Sequence, residues 1–168
     1  MSWHPPEDWS PGEVVASTKM SEQVYDNLAW LGGERHHCQV VDSSLTSSAG
    51  AWVNPSWSSV TTNVGSMGAT STGFVRISTS GFWLIGASAT FSANATSGAR
   101  AILLSTGASG GGTAYAQSNT TQHAGNASAA SVTTALQVSA VTDVYLGVFS
   151  SAAHAVTNVR MWAIWMTT

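Results

Sequence analysis

The sequence predicts a mainly β protein, a β-sandwich preceded by an extended N-terminal arm and one short α-helix. Three observations predict it. From about residue 45 the apolar residues recur with a period of two, which is the period of a strand. Gly, Ser and Asn clusters break that region into eight or nine short β-rich runs, the signature of a sandwich. Charge is also confined to one end: seven of the eight acids precede residue 43, and residues 43 to 168 carry only Arg76, Arg100, Asp143 and Arg160. The chain therefore divides into an arm, residues 1–45, and one large β-domain, residues 46–168.

In the arm, Pro5, Pro6 and Pro11 keep the backbone extended before about residue 16, since proline lacks the amide donor and biases its predecessor away from helix. Ser17 or Thr18 can then cap a helix over 18–31, with Glu22 near the positive end of its dipole and Gly32-Gly33 as the stop. Met20, Val24, Leu28 and Leu31 form one apolar stripe on it. A single helix of that length is not stable alone, so the stripe needs a partner surface.

The strands follow in order. Runs at about 51–53, 57–64 and 73–79 lead into a long strand at 82–91, where Trp83, Ile85, Ala87, Ala89 and Phe91 alternate with Leu84, Gly86, Ser88 and Thr90. Further runs lie at about 99–105, 112–118, 131–138, 142–149 and 157–167. Alanine favours helix, but here it is interleaved with Thr, Val and Ser and broken by Gly, so period and neighbours outweigh it. Trp83, Ile85, Phe91, Val148, Trp162 and Trp165 are the expected fillers of the sandwich or of its subunit contacts. Trp3, Trp9, Trp30, Trp52 and Trp57 lie in the arm and its junction and are expected to be buried elsewhere, as aromatic anchors often are.

Composition excludes several function classes. Five Lys and Arg, with a pI near 5.9, cannot build the basic stripe that neutralises a row of phosphates, so nucleic acid is not an expected partner. No stretch of 18 apolar residues occurs, and residues 1–9 lack the basic and apolar regions of a signal peptide; neither membrane insertion nor export by that route is expected. The single cysteine, Cys38, allows no internal disulfide. After Lys19 there is no lysine to defend strand edges, and an uncharged Ser/Thr/Ala surface costs little to desolvate, so an oligomer is expected.

No catalytic constellation emerges. Acid/base chemistry needs a second carboxylate or a histidine beside the first, and the β-domain holds only Asp143, which is expected to make a turn hydrogen bond. Consecutive His36-His37-Cys38 point in different directions and do not chelate one ion, while His123 and His154 are expected on loops near a rim. Gly110-Gly-Gly112 lacks the following Lys-Ser/Thr of a phosphate cradle. No catalytic, metal or cofactor residue is assigned, and no cofactor is expected.

Two resemblances add to this. The stretch Trp9-Ser-Pro-Gly-Glu-Val-Val-Ala-Ser-Thr-Lys-Met-Ser-Glu-Gln-Val-Tyr-Asp-Asn-Leu-Ala-Trp-Leu31 resembles the N-terminal segment of small structural proteins of tailed bacteriophages. The pattern Gly73-Phe-Val-Arg-Ile77, Gly81-Phe-Trp-Leu-Ile85, Gly98-Ala-Arg-Ala-Ile-Leu-Leu104, Val144-Tyr-Leu-Gly-Val-Phe149 and Met161-Trp-Ala-Ile-Trp165 is similar to the jelly roll of the C1q and tumour-necrosis-factor type. Together they imply a homotrimeric, non-enzymatic virion component made in the host cytoplasm. It would be a minor tail, tail-tip or fibre protein or, alternatively, a capsid-decoration subunit. Trp3, Trp9, Val14, Val15, Met20, Val24, Leu28 and Leu31 would attach it to other virion proteins. Loops 106–113 and 119–130, rich in Gly, Ser, Thr and Asn, give a further alternative, a module that binds a host surface glycan.

Overall fold

The computed structural model describes residues 36–167. The expected helix over 18–31 and the arm residues Trp3, Trp9, Val14, Val15, Met20, Val24, Leu28 and Leu31 lie outside the described residues.

Among these residues ten strands follow one another: β1 (His37–Ser47), β2 (Ala51–Val53), β3 (Ser59–Val64), β4 (Phe74–Ile77), β5 (Gly81–Phe91), β6 (Gly98–Ser105), β7 (Ala114–Gln122), β8 (Ser128–Val138), β9 (Thr142–Ser150) and β10 (His154–Thr167). Among the described residues one 3-10 turn, Ala108–Gly110, interrupts them. The strands form two sheets, ordered β3-β1-β10-β5-β8 and β2-β9-β6-β7, and every pairing is antiparallel. Strand β4 joins the second sheet on the same edge of β9 as β2, one opposite Thr142–Tyr145 and the other opposite Val148–Ser150. At Leu146, between them, the backbone is satisfied by other means. Its N–H donates to the Gly73 carbonyl at 3.4 Å, and its carbonyl accepts from Asn54 Nδ2 at 2.7 Å.

The core lies between the two sheets and follows the alternation in the sequence. Trp83, Ile85, Phe91 and Val148 are fully buried, together with Ile102, Leu104, Val144, Leu146, Val156, Val159 and Met161. Trp83 keeps its indole N–H satisfied by donating to the Thr79 carbonyl at 3.0 Å.

Strand β1 begins ahead of the boundary drawn at residue 45, which falls inside the strand, and the β-unit starts at His37. The reason is Asp42. Cys38, Val40 and Asp42 are the inward residues of β1, and an acid in that series breaks the apolar pattern that would have marked a strand. Asp42 tolerates burial because its carboxylate accepts the backbone N–H groups of Ser44 at 3.3 Å and Ser56 at 3.2 Å.

Trp57 is corrected as well. The sequence places its burial elsewhere, in another protein or under a neighbouring subunit, but it is 1% exposed in this domain's own core, with its indole N–H donating to the Phe74 carbonyl at 3.3 Å. Trp52 pairs with Phe149, ring centroids 5.3 Å apart.

Candidate interaction surface

The last strand explains how one face of the first sheet comes to be apolar. In β10, Val156 and Val159 are both inward although they are three apart, because the ladder shifts register between Thr157 and Arg160, where Asn158 adopts φ 51°. Past that bulge Met161 and Ala163 point into the core, and Trp162 and Ile164 point out. Trp162, expected in the sandwich interior or at a subunit contact, is therefore outside the interior. A regular strand cannot turn both Trp162 and Trp165 to one face, since three positions separate them. Trp165 is half-buried against the edge of the core and donates its indole N–H to the Ser80 carbonyl at 3.3 Å.

Cross-strand pairing builds the outer face around Trp162. Trp162 sits opposite Gly86 on β5 and Gln39 on β1, and Ile164 sits opposite Leu84 and His37. The absence of a side chain at Gly86 is what lets the indole lie flat on the sheet: a Cβ there would come within 2.2 Å of Trp162 Cζ2. Phe82 extends the patch along β5, and Met166 lies beside it where the β10 register shifts again. Phe82, Ile164 and Met166 are 47%, 38% and 45% exposed, large apolar side chains left in solvent by this chain alone. Beyond them β8 presents Ala129, Ser131, Thr133, Ala135 and Gln137. Among the described residues the one Arg or Lys on this face is Arg160, opposite Ser88.

Sequence reasoning missed Phe82, Leu84, Gly86, Ile164 and Met166 as parts of one surface. A signal was present. Met161-Trp-Ala-Ile-Trp-Met166 is apolar at odd and even positions alike, and a strand apolar on both faces needs cover on both.

The polar candidates fall elsewhere. Asp143 makes no turn bond; it accepts a bidentate pair from Arg76, Nε at 2.7 Å and Nη2 at 2.8 Å, across the β4–β9 ladder. That pair holds the Arg76 guanidinium above its ordinary pKa, first through the hydrogen bond and then through the charge of Asp143. The Arg76 guanidinium also lies over the Phe74 ring, 5.4 Å from its centroid. Cys38 is buried, which pushes its thiol up to about 11. His123 is exposed in the turn after β7, as a rim residue would be, whereas His154 is 3% exposed at the start of β10 and meets the buried Arg100. Among the described residues no three His, Cys, Asp or Glu side chains gather as metal ligands would.

No family model and no curated protein sequence matches the chain. Solved structures do match. The globular domain of zebrafish complement 1qA protein superimposes with a TM-score of 0.58 at 8% identity, covering 79% of this chain and 97% of that one. Eiger TNF from S. frugiperda gives 0.60 at 11% identity, covering 79% and 93%. Murine APRIL gives 0.58 at 7% identity, covering 79% and 99%. The likeness is one of fold: this domain is a jelly roll of the C1q/TNF type.

Proposed function

We propose that the protein is a non-enzymatic structural subunit of a tailed-phage virion, a homotrimer that displays its jelly roll on the particle and is attached through the arm. The observation that carries the assembly is the outer face of β5 and β10. Trp162, Ile164, Phe82, Leu84 and Met166 form an apolar strip there, bordered by small uncharged residues, with Arg160 as its one Arg or Lys. Covering such a strip with a second and third copy removes apolar area from water while desolvating almost no charge. The C1q/TNF-type fold agrees with a threefold arrangement of the subunits around that face.

The placement on a phage particle rests on the N-terminal string from Trp9 to Leu31. In this reading Trp3, Trp9, Val14, Val15, Met20, Val24, Leu28 and Leu31 anchor the subunit in a minor tail, tail-tip or fibre assembly, and the charge-poor sandwich faces outward.

Two experiments test the two halves. Light scattering on the purified chain at micromolar concentration is expected to return the mass of a trimer; a monomer mass over the whole accessible range overturns the assembly. Deleting residues 1–33 is expected to leave soluble trimers that do not join particles. Incorporation of the truncated chain at normal copy number overturns the role of the arm.

A further inference from the structure

At one end of the sandwich, away from any catalytic pattern in the sequence, sits a buried cation with no carboxylate partner among the described residues. Arg100 on β6 is 0% exposed, and Gln122 at the end of β7 and His154 at the start of β10 are 1% and 3% exposed. Arg100 Nε donates to Gln122 Oε1 at 2.9 Å, and Nη1 donates to the Ala99 carbonyl at 2.8 Å and to Ser151 Oγ at 3.3 Å. Nη2 reaches the Thr96 carbonyl at 3.5 Å and meets Nε2 of His154. Gln122 Nε2 in turn donates to the carbonyls of Ser92, at 3.0 Å, and Asn126. The cluster thus ties the end of β5, the starts of β6, β8 and β10, the end of β7 and the β9–β10 turn. Those segments come from both sheets.

The protonation state of His154 follows from its partner. A guanidinium has donors only, so His154 Nε2 must offer its lone pair, and the ring is neutral with its proton on Nδ1. No carboxylate stands by to change that balance: among the described residues Asp42 is held by the Ser44 and Ser56 amides, and Asp143 by Arg76. Among the described residues the one charged group facing the ring is Arg100. From β1, Ser47 pairs with His154 and gives its hydroxyl to the His154 carbonyl at 3.4 Å.

We propose that His154 and Arg100 form an acid-sensitive latch on this end of the sandwich, closed while the imidazole accepts the guanidinium bond and opened when protonation turns that acceptor into a second buried cation. Burial first and the Arg100 charge second hold the His154 imidazole below its ordinary pKa, with a backbone hydrogen bond at Ser92 opposing them in part. The sign follows. The unfolded chain protonates this histidine near pH 6.5, so the stability contributed by the neutral ring is complete above that value. It is lost as pH falls from there to the folded-state pKa, with a slope of up to about tenfold in the folding constant per pH unit. The latch is independent of the virion reading and concerns what acid does to the domain.

The test compares the wild-type chain with His154→Gln, which keeps an acceptor for Arg100 but does not titrate. Urea unfolding is followed from pH 7.5 to 5, with subunit mass recorded in parallel so that a failure to trimerise is not confused with a failure of the latch. The wild type is expected to lose stability below pH 6.5 by a component, up to about tenfold per pH unit, that His154→Gln lacks. Equal pH slopes in the two proteins overturn the latch. Should the variant not fold, the ring resonances of His154 in the wild-type protein decide: a midpoint well below 6.5 supports the latch, and one at or above about 6.5 overturns it.

Discussion

Gly86→Ala tests whether the outer face of β5 and β10 is organised around Trp162. The new Cβ would lie 2.2 Å from Trp162 Cζ2, 2.4 Å from Cε2 and 2.9 Å from Cη2. Carbon atoms rest about 3.5–4.0 Å apart, so the indole must retreat by more than roughly 1 Å and lose its seat on the sheet. A tryptophan buries about 150–250 Å² when fully enclosed. Trp162 is half-buried, so about 100 Å² returns to water, or about 2.5 kcal/mol at ~25 cal/mol per Å². Removing glycine from the unfolded chain offsets about 0.4–1 kcal/mol of that. The expected net loss is about 1.5–2 kcal/mol, read by urea denaturation at one fixed protein concentration. The control is the same substitution in a Trp162→Ala background. There the steric conflict is gone, and Gly86→Ala is expected to be neutral or slightly stabilising. If the alanine costs the same in both backgrounds to within ~0.5 kcal/mol, the two residues are not coupled and the account of this face is refuted.

Other substitutions probe the neighbouring claims. Trp57→Ala removes a side chain with 1% exposure and its bond to the Phe74 carbonyl, and should cost about 3–5 kcal/mol in urea unfolding; a dissociated but equally stable domain would show instead that Trp57 belongs to an interface. Phe82→Lys combined with Ile164→Lys places charge on the apolar strip, and light scattering should report monomers. Because Phe82 and Ile164 are only 47% and 38% exposed in the single chain, the monomer should still fold but lose about 1 kcal/mol per site. Cys38 should resist alkylation at pH 8 in the native protein and react on unfolding, since its thiol is buried and pushed up to about 11; native-state labelling at the unfolded rate would contradict that burial.

Much of the fold was legible in the sequence because strand alternation is a local property. Trp83, Ile85, Ala87, Ala89 and Phe91 are all inward in β5, as their spacing required. The short strand at 51–53 is also where its residues placed it. Legibility failed where a polar residue interrupts the period or where the register shifts. Asp42 hid β1, because an inward acid looks like a surface residue until the amides of Ser44 and Ser56 are brought to it by the fold. The bulge at Asn158 changed which tryptophan of β10 faces the core, and a one-residue slip reverses the face of everything after it. The polar residues were least legible. Asp143 found Arg76, 67 positions away, and His154 found Arg100, 54 positions away.

What the sequence alone determined, then, is the class of structure and the kind of surface. Its period of two and its scarcity of charge after residue 43 required strands, a sandwich and an exterior with few charges, since both follow from neighbours along the chain. The tertiary structure alone decided which residues share a face. It laid Trp162 on Gly86, gathered Phe82, Leu84 and Ile164 into one strip, and shut a guanidinium against an imidazole at the far end of the sandwich. Those meetings depend on strand order and register, which are fixed by long-range packing of two sheets and leave no mark in the local spacing of the residues involved.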